Sequence, residues 1–415
     1  MKILIFICFA LPIFLTSCAT QRSYPYPEEP EILLANTQEE APVIETVAEV
    51  PGPVPFAILY SALDIGAAIY EPADGTYLGA WIGPYMTKSE FEDRVGTKHA
   101  VFAMEMEVGA DFPTTWILQS IAAQTAPLIV LRLPDNYGEE FPLAQLASFA
   151  QELGNFNLPS FIVFNPVGPG ADITPEDYRL LFRYARVIFR NYAPMAAFVW
   201  HGYDNLVTED SPFYPGHDVV DWVSLEVLAP QTAEGFIVDV AEYLSPFYIN
   251  FQRYKPIILL PLGVGHFSRR DYVYRVPQAA VEISRVFNVL RDSFPRVRMI
   301  VYGNHGVTTP YRDDFGLTRE ESLITAYRDA VAHNHFINRL APGSADRIAW
   351  MRSPLHGYYY EGQIFIDREV IVSSNNRALP TTEINGRDYI NVDFINWMKI
   401  ATDHTRRVIY MHPGE

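Results

Sequence analysis

Cysteine is nearly absent: 415 residues contain two, Cys8 and Cys18. That excludes a disulfide framework and a cysteine-rich zinc site. Basic residues are also few, 31 Lys and Arg against 49 Asp and Glu, for a formal charge of −18. A surface of that sign repels polyanions, so nucleic acid is not expected as a partner. No GxGxxG or phosphate-loop motif follows an apolar run, which removes the usual nucleotide signatures. His201, His217, His266 and His305 follow strand-like runs, but no HxxxH or HxH spacing joins them into a metal site. No metal or cofactor is implied. Beyond the N-terminus no stretch approaches the ~20 apolar residues of a membrane span. What the chain does have is core: 49% of its residues are hydrophobic and 19% charged, which excludes a mainly disordered protein. Aromatics reach 14%, enough for a large core or for sugar-stacking surfaces.

The chain opens with Lys2 and an apolar run from Ile3 to Leu15, the length of an export signal. Leu15-Thr16-Ser17-Cys18 resembles a bacterial lipobox, which implies lipidation of Cys18 and anchoring to a membrane. No Asp follows Cys18, which favours the outer membrane or cell surface over the inner membrane. Residues 18–55 are rich in Glu and Pro, including Glu39, Glu40, Pro51 and Pro53, and read as a solvated, disordered tether.

From 56 to 338, apolar strand-like runs alternate with amphipathic helical ones. Strand candidates are Ala126–Leu133, Phe161–Pro166, Ala196–Trp200, Val220–Leu228, Pro256–Leu262 and Arg298–Tyr302. Helical patterns cover Leu143–Leu153, Pro175–Tyr192, Val276–Phe294 and Thr318–His333. Thr174 is a candidate N-cap, with Pro175 at the first helical position. Alternation over this length predicts an α/β fold, a (β/α)8 TIM barrel, ahead of a doubly wound sheet. Residues 339–415 read as a small α+β domain with a hairpin turn at Ile384-Asn385-Gly386-Arg387, a helix over Val392–Thr402 and a last strand over Arg407–Met411.

In a barrel, chemistry sits just after each strand. Trp200-His201-Gly202-Tyr203 is followed by Tyr214-Pro215-Gly216-His217-Asp218-Val219-Val220-Asp221-Trp222, which resembles a segment of glycoside hydrolase family 26, the β-mannanases and their relatives. Tyr77-Leu78-Gly79-Ala80-Trp81, the 174–192 helix and Asp314–Ala330 are similar to other parts of that family, so the resemblance spans roughly 74–338. It implies a retaining glycosidase, which needs two carboxyl groups about 5–5.5 Å apart. The family's acid/base motif, RPxHExNG, falls on Asn165-Pro166-Val167-Gly168-Pro169, and its nucleophile motif on Lys255 to Gly263. The two acid positions are Pro169 and Pro261. Proline can neither donate a proton nor attack. Substitute carboxylates are Glu226, at the family's acidic position on its strand, and Asp135; Glu105 and Glu107 share one strand face. Carbohydrate-binding candidates are Trp200, His201, Tyr203, Tyr214, Trp222 and Asn165. Residues 362–414 resemble a copper amine oxidase N-terminal-like domain, a module without a copper site. The expectation is an envelope lipoprotein whose barrel binds β-mannan or another β-linked polysaccharide without cleaving it. The alternatives are an active β-mannanase-like hydrolase using relocated carboxylates, and a structural envelope protein.

Overall fold

The computed structural model describes residues 52–62, 68–134, 141–304, 313–340, 349–372, 379–395 and 398–413. Cys18, the signal and most of the tether lie outside these residues, as do Asp135 and His305.

Eight parallel strands close into a barrel. They are β2 (Thr76–Ile82), β3 (Val101–Glu107), β4 (Ala126–Arg132), β5 (Ser160–Phe164), β6 (Ala196–Gly202), β7 (Trp222–Ala229), β8 (Ile257–Val264) and β9 (Val297–Asn304). Each pairs with its sequence neighbour, and β9 pairs back onto β2. The strands read as continuous apolar runs because both faces are covered. One face, with Tyr77, Leu128, Val130, Phe161, Val163 and Met299, fills the barrel interior. The other meets the helices α1 (Lys88–Val95), α2 (Thr114–Ala123), α3 (Leu143–Asn155), α4 (Pro175–Tyr192), α5 (Val240–Phe251), α6 (Val276–Ser293) and α7 (Glu321–Val331).

Helix α4 shows how sequence sets these elements. Thr174 accepts a hydrogen bond from the Asp177 N–H at 3.1 Å, Pro175 starts the helix, and Glu176 and Asp177 face its positive end. Tyr178, Leu181, Phe182, Ala185 and Phe189 recur at helical spacing and are buried. Between β6 and β7 there is no helix but an irregular segment, residues 203–221. Helix α4 clasps it. Arg183 reaches both Asp218 oxygens (2.6 and 2.9 Å) and the Pro215 carbonyl (2.7 Å), and Arg186 pairs with Asp221 at 3.0 Å. Gly216 has φ +107°, and a Cβ there would lie 2.9 Å from Arg183 Nη2. The Tyr-Pro-Gly segment is therefore built to stand in for a missing helix.

The stretch before β2 crosses the N-terminal end of the barrel. Tyr70 packs edge-on against Phe161, and Trp222 Nε1 donates to the Ile69 carbonyl at 2.8 Å. Glu71, fully buried, forms a bidentate pair with Arg296 (3.0 and 3.1 Å). Arg296 also donates to the Gln252 carbonyl at 2.7 Å, and the Gln252 amide is hydrogen-bonded to the Arg352 backbone. Buried polar groups thus join the barrel floor to the second sheet.

That sheet contains β1 (Val54–Ala62), β10 (Ala349–Tyr360), β11 (Gln363–Asp367), β12 (Thr382–Ile384), β13 (Arg387–Asn391), β14 (Met398–Asp403) and β15 (Val408–Pro413), in the order β12-β13-β11-β10-β1-β15-β14. Two expectations are corrected here. Residue 56 does not open the barrel: β1 lies between β10 and β15, and Phe56 and Ile58 bury against Ile364, Ile366 and Ile409. Sequence adjacency hid a pairing made some 300 residues away. Nor do the described residues of 392–402 form a helix. Asn391 caps one 3-10 turn, Val392–Phe394, and Met398–Asp403 pairs antiparallel with β15. The hairpin at 384–387 is as expected: Asn385 and Gly386 both have positive φ, 53° and 77°.

Candidate functional site

Alternation along the strands decides which side chains reach the barrel mouth. On β3, Val101 and Ala103 point inward, so Glu105 and Glu107 continue that line upward into solvent. On β4 the inward line Leu128, Val130 ends in Arg132, whose Nε lies 2.9 Å from Glu105 Oε1. On β6, Val199 is followed inward by His201. On β7, Trp222 is followed by Ser224 and Glu226. His201 Nδ1 and Ser224 Oγ are hydrogen-bonded at 2.9 Å. Burial and the nearby Arg132 cation lower the His201 pKa to about 4, so its ring is neutral at pH 7.

Strand β8 carries a bulge at this level. Leu259 pairs with Leu225 and Leu262 with Val227, so Leu260 and Pro261 together stand opposite Glu226. A Cβ on Gly303 of β9 would lie 3.0 Å from Pro261 Cβ. Glu226 is open to solvent, yet the surrounding wall thins its hydration and raises its pKa. At the end of β5, Asn165 adopts φ 39° and its Oδ1 accepts the Leu133 N–H at 3.0 Å. Pro169 is exposed in the following loop. A Cβ on Gly168 would lie 2.6 Å from the Cβ and Cγ of Tyr203, so Tyr203 occupies the room a larger side chain would need.

No family model and no curated protein matches this chain. Solved structures similar to it include a GH26 beta-mannanase from Bacteroides ovatus, 11% identical, with a TM-score of 0.46, covering 64% of this chain and 90% of that one. GH26C from Muricauda sp. is 12% identical with a TM-score of 0.47, over 65% and 91% of the two chains. Cel5A from Thermotoga maritima is 15% identical with a TM-score of 0.45, over 63% and 99%. The closed strand order, rather than these likenesses, establishes the barrel.

The structure brings His201, Tyr203, Asn165 and Glu226 to the mouth end of the barrel and removes three other candidates from it. Trp200 points outward into the helix layer, with no exposed surface. Its Nε1 donates to the Phe213 carbonyl at 3.1 Å, and its ring meets Tyr214 and Phe251. Tyr214 is buried in the same layer, with its hydroxyl on His217 at 2.8 Å. Trp222 points inward but begins β7, so it lies at the closed end, edge-on to Phe161. Asn165 stays at the mouth end of β5, largely buried, with its Oδ1 held by the Leu133 N–H. Neither tryptophan nor Tyr214 can stack on or bond to a ligand at the mouth. Replacing Trp222 by alanine is expected to cost about 3–5 kcal/mol of stability, read from urea unfolding, because it empties the barrel floor. Binding at the mouth should be unchanged once the protein is folded.

Three exposed tyrosines escaped the sequence reading: Tyr85 after β2, and Tyr272 and Tyr274 after β8. The signal was there in Arg269-Arg270-Asp271-Tyr272-Val273-Tyr274, a polar turn carrying aromatics just past a strand end. His333 and His335 stand in HxH spacing, outside the four strand-end histidines considered above. Their rings are engaged otherwise: His335 Nε2 with Thr76 Oγ1 at 2.9 Å, and His333 Nδ1 with the His335 N–H. Among the described residues, no group of three or more His, Cys, Asp or Glu could hold a metal.

Proposed function

We propose that this chain is a lipid-anchored envelope protein whose barrel binds a neutral β-linked polysaccharide without hydrolysing it. One observation carries the reading. The strand ends that the resembled family uses for its two catalytic carboxyls present Asn165 to Pro169 and Pro261 here. Glu226 rises opposite Pro261 with a raised pKa, as a general acid would, but the nucleophile position facing it is hydrocarbon. Glu105 is neutralised by Arg132. A neutral histidine, held by the buried Ser224 hydroxyl, and a tyrosine at the mouth suit hydrogen bonds to sugar hydroxyls. The lipid on Cys18 would hold the barrel at the outer membrane or cell surface, with the second sheet, resembling the copper amine oxidase N-terminal-like module, as a structural support.

The test uses the full chain in detergent on β-mannans, xylans and mixed-linkage glucans. The expected result is no released oligosaccharide, with one glycan retarding the protein in an affinity gel. Release that vanishes in Glu226→Gln would overturn the non-hydrolytic reading and make Glu226 its acid. Neither release nor retardation would overturn binding altogether and favour an envelope scaffold.

A further inference from the structure

The segment between β8 and α6 folds back as a small hairpin, with Phe267–Ser268 antiparallel to Val273–Tyr274. It follows a barrel strand, so it stands on the face where βα loops gather ligands. Tyr272 and Tyr274 are 62% and 61% exposed, far more than a core would leave them. Their positions are nevertheless fixed. Phe267, itself 9% exposed, sits between them with ring centroids 6.4 and 4.7 Å away. Tyr272 takes a left-handed φ of 58°, an unfavoured conformation for a bulky residue, held by its N–H on the Ser268 carbonyl at 2.9 Å. Arg275 closes the turn on Asp271, and its N–H donates to the His266 carbonyl at 2.8 Å. His266 in turn donates its N–H to the Asp314 carbonyl at 2.9 Å.

Two aromatic rings held rigid while facing water lose little conformational freedom on binding, the situation that favours tyrosine in recognition surfaces. The hairpin's charges narrow the ligand. Among the described residues Arg269 lies 3.6 Å from Asp313 and Arg275 is paired with Asp271, which leaves Arg270 as the one hairpin cation beside no carboxylate, too few to hold a polyanion. The chain's net charge of −18 repels one as well. What fits is a neutral molecule with an apolar face and a hydroxylated rim, the two faces of a pyranose ring. We infer that Tyr272 and Tyr274 form a stacking platform for the sugar rings of a polysaccharide whose chain continues from the barrel mouth. This rests on the polysaccharide reading above and adds the residues that would select the glycan.

The experiment titrates the full chain in detergent with whichever glycan retards it. Tyr272→Ala/Tyr274→Ala is expected to weaken binding about tenfold or more, with an unchanged melting temperature because both rings are exposed. Tyr272→Phe/Tyr274→Phe, which keeps the faces, should stay within about threefold. Undiminished binding by the alanine pair would overturn the platform while leaving the polysaccharide reading intact. Sedimentation that shows a dimer of the parent chain, lost in the alanine pair, would assign the ridge to self-association instead. A parent chain that retains no glycan would overturn both readings together.

Discussion

Glu71→Ala is expected to lower the unfolding free energy by about 3–5 kcal/mol, as removal of one partner from a buried ion pair does. Glu71 and Arg296 have essentially no exposure, and their bidentate contact is the geometry in which a carboxylate offsets a buried guanidinium best. Arg298 adds a second cation, its Nε 3.8 Å from the same carboxylate, and the Ala68 N–H donates to Glu71 Oε2 at 3.0 Å. Alanine would leave two buried guanidinium groups without that anion and release the segment that covers the barrel floor. Urea unfolding at pH 7 checks it, read by both tryptophan fluorescence and far-ultraviolet dichroism, since Trp222 donates to Ile69 beside the pair. The double variant Glu71→Ala/Arg296→Met should recover part of the loss, because an apolar replacement removes the charge left behind. A loss below about 1 kcal/mol in Glu71→Ala would mean that water solvates the site and that the pair does not hold the floor.

The barrel was legible because its strands are buried on both faces. An apolar run between turn residues is visible without knowing its partner, and Thr174-Pro175 marks a helix start by local chemistry alone. β1 was illegible for the opposite reason: nothing in Val54–Ala62 records that its partners are β10 and β15, at the other end of the chain. The site divides along the same line. That the two acid positions hold proline can be read from residue identity. Which way Trp200 and Trp222 face depends on strand phase and starting point. The strand containing Trp222 begins two residues later than the sequence reading placed it, and Trp200 sits one step out of phase with the inward His201. A tryptophan beside a ligand-binding face is indistinguishable in sequence from one packed behind it. The exposed tyrosines of the β8 hairpin were missed because their support, Phe267 and the Asp271–Arg275 closure, exists only in the folded turn.

Stability should fall steeply in acid, by about 4 kcal/mol per pH unit near pH 5. Three histidines set this slope. His99 is pushed to about 3, His201 to about 4 and His335 to about 4, each chiefly by burial. Their ordinary pKa is about 6.5. Because the folded values are depressed, the unfolded chain binds three more protons than the folded one between these limits. Stability is then fully present above pH 6.5 and is lost as pH falls toward 4. Each such proton contributes about 1.4 kcal/mol per pH unit. Burial pushes His266 and His356 in the same direction, whereas Asp221 and Glu226, with raised values, oppose it. His99 is the most telling of the set. It lies among Phe91, Phe102 and Tyr327, with Nε2 on the Tyr327 hydroxyl at 2.8 Å. The Glu92 carboxylate is 3.9 Å from Nδ1 but is already engaged by Lys98 and by the His99 N–H, so it does little to favour an imidazolium. Urea unfolding at half-unit steps from pH 7 to pH 4.5 gives the slope directly. His99→Phe, which keeps an aromatic ring of similar breadth but cannot titrate, should reduce it by about one proton. It should also lose some stability at pH 7 through the vacated Tyr327 hydroxyl. A slope equivalent to less than one proton in the parent chain would mean that these rings are solvated in the folded protein.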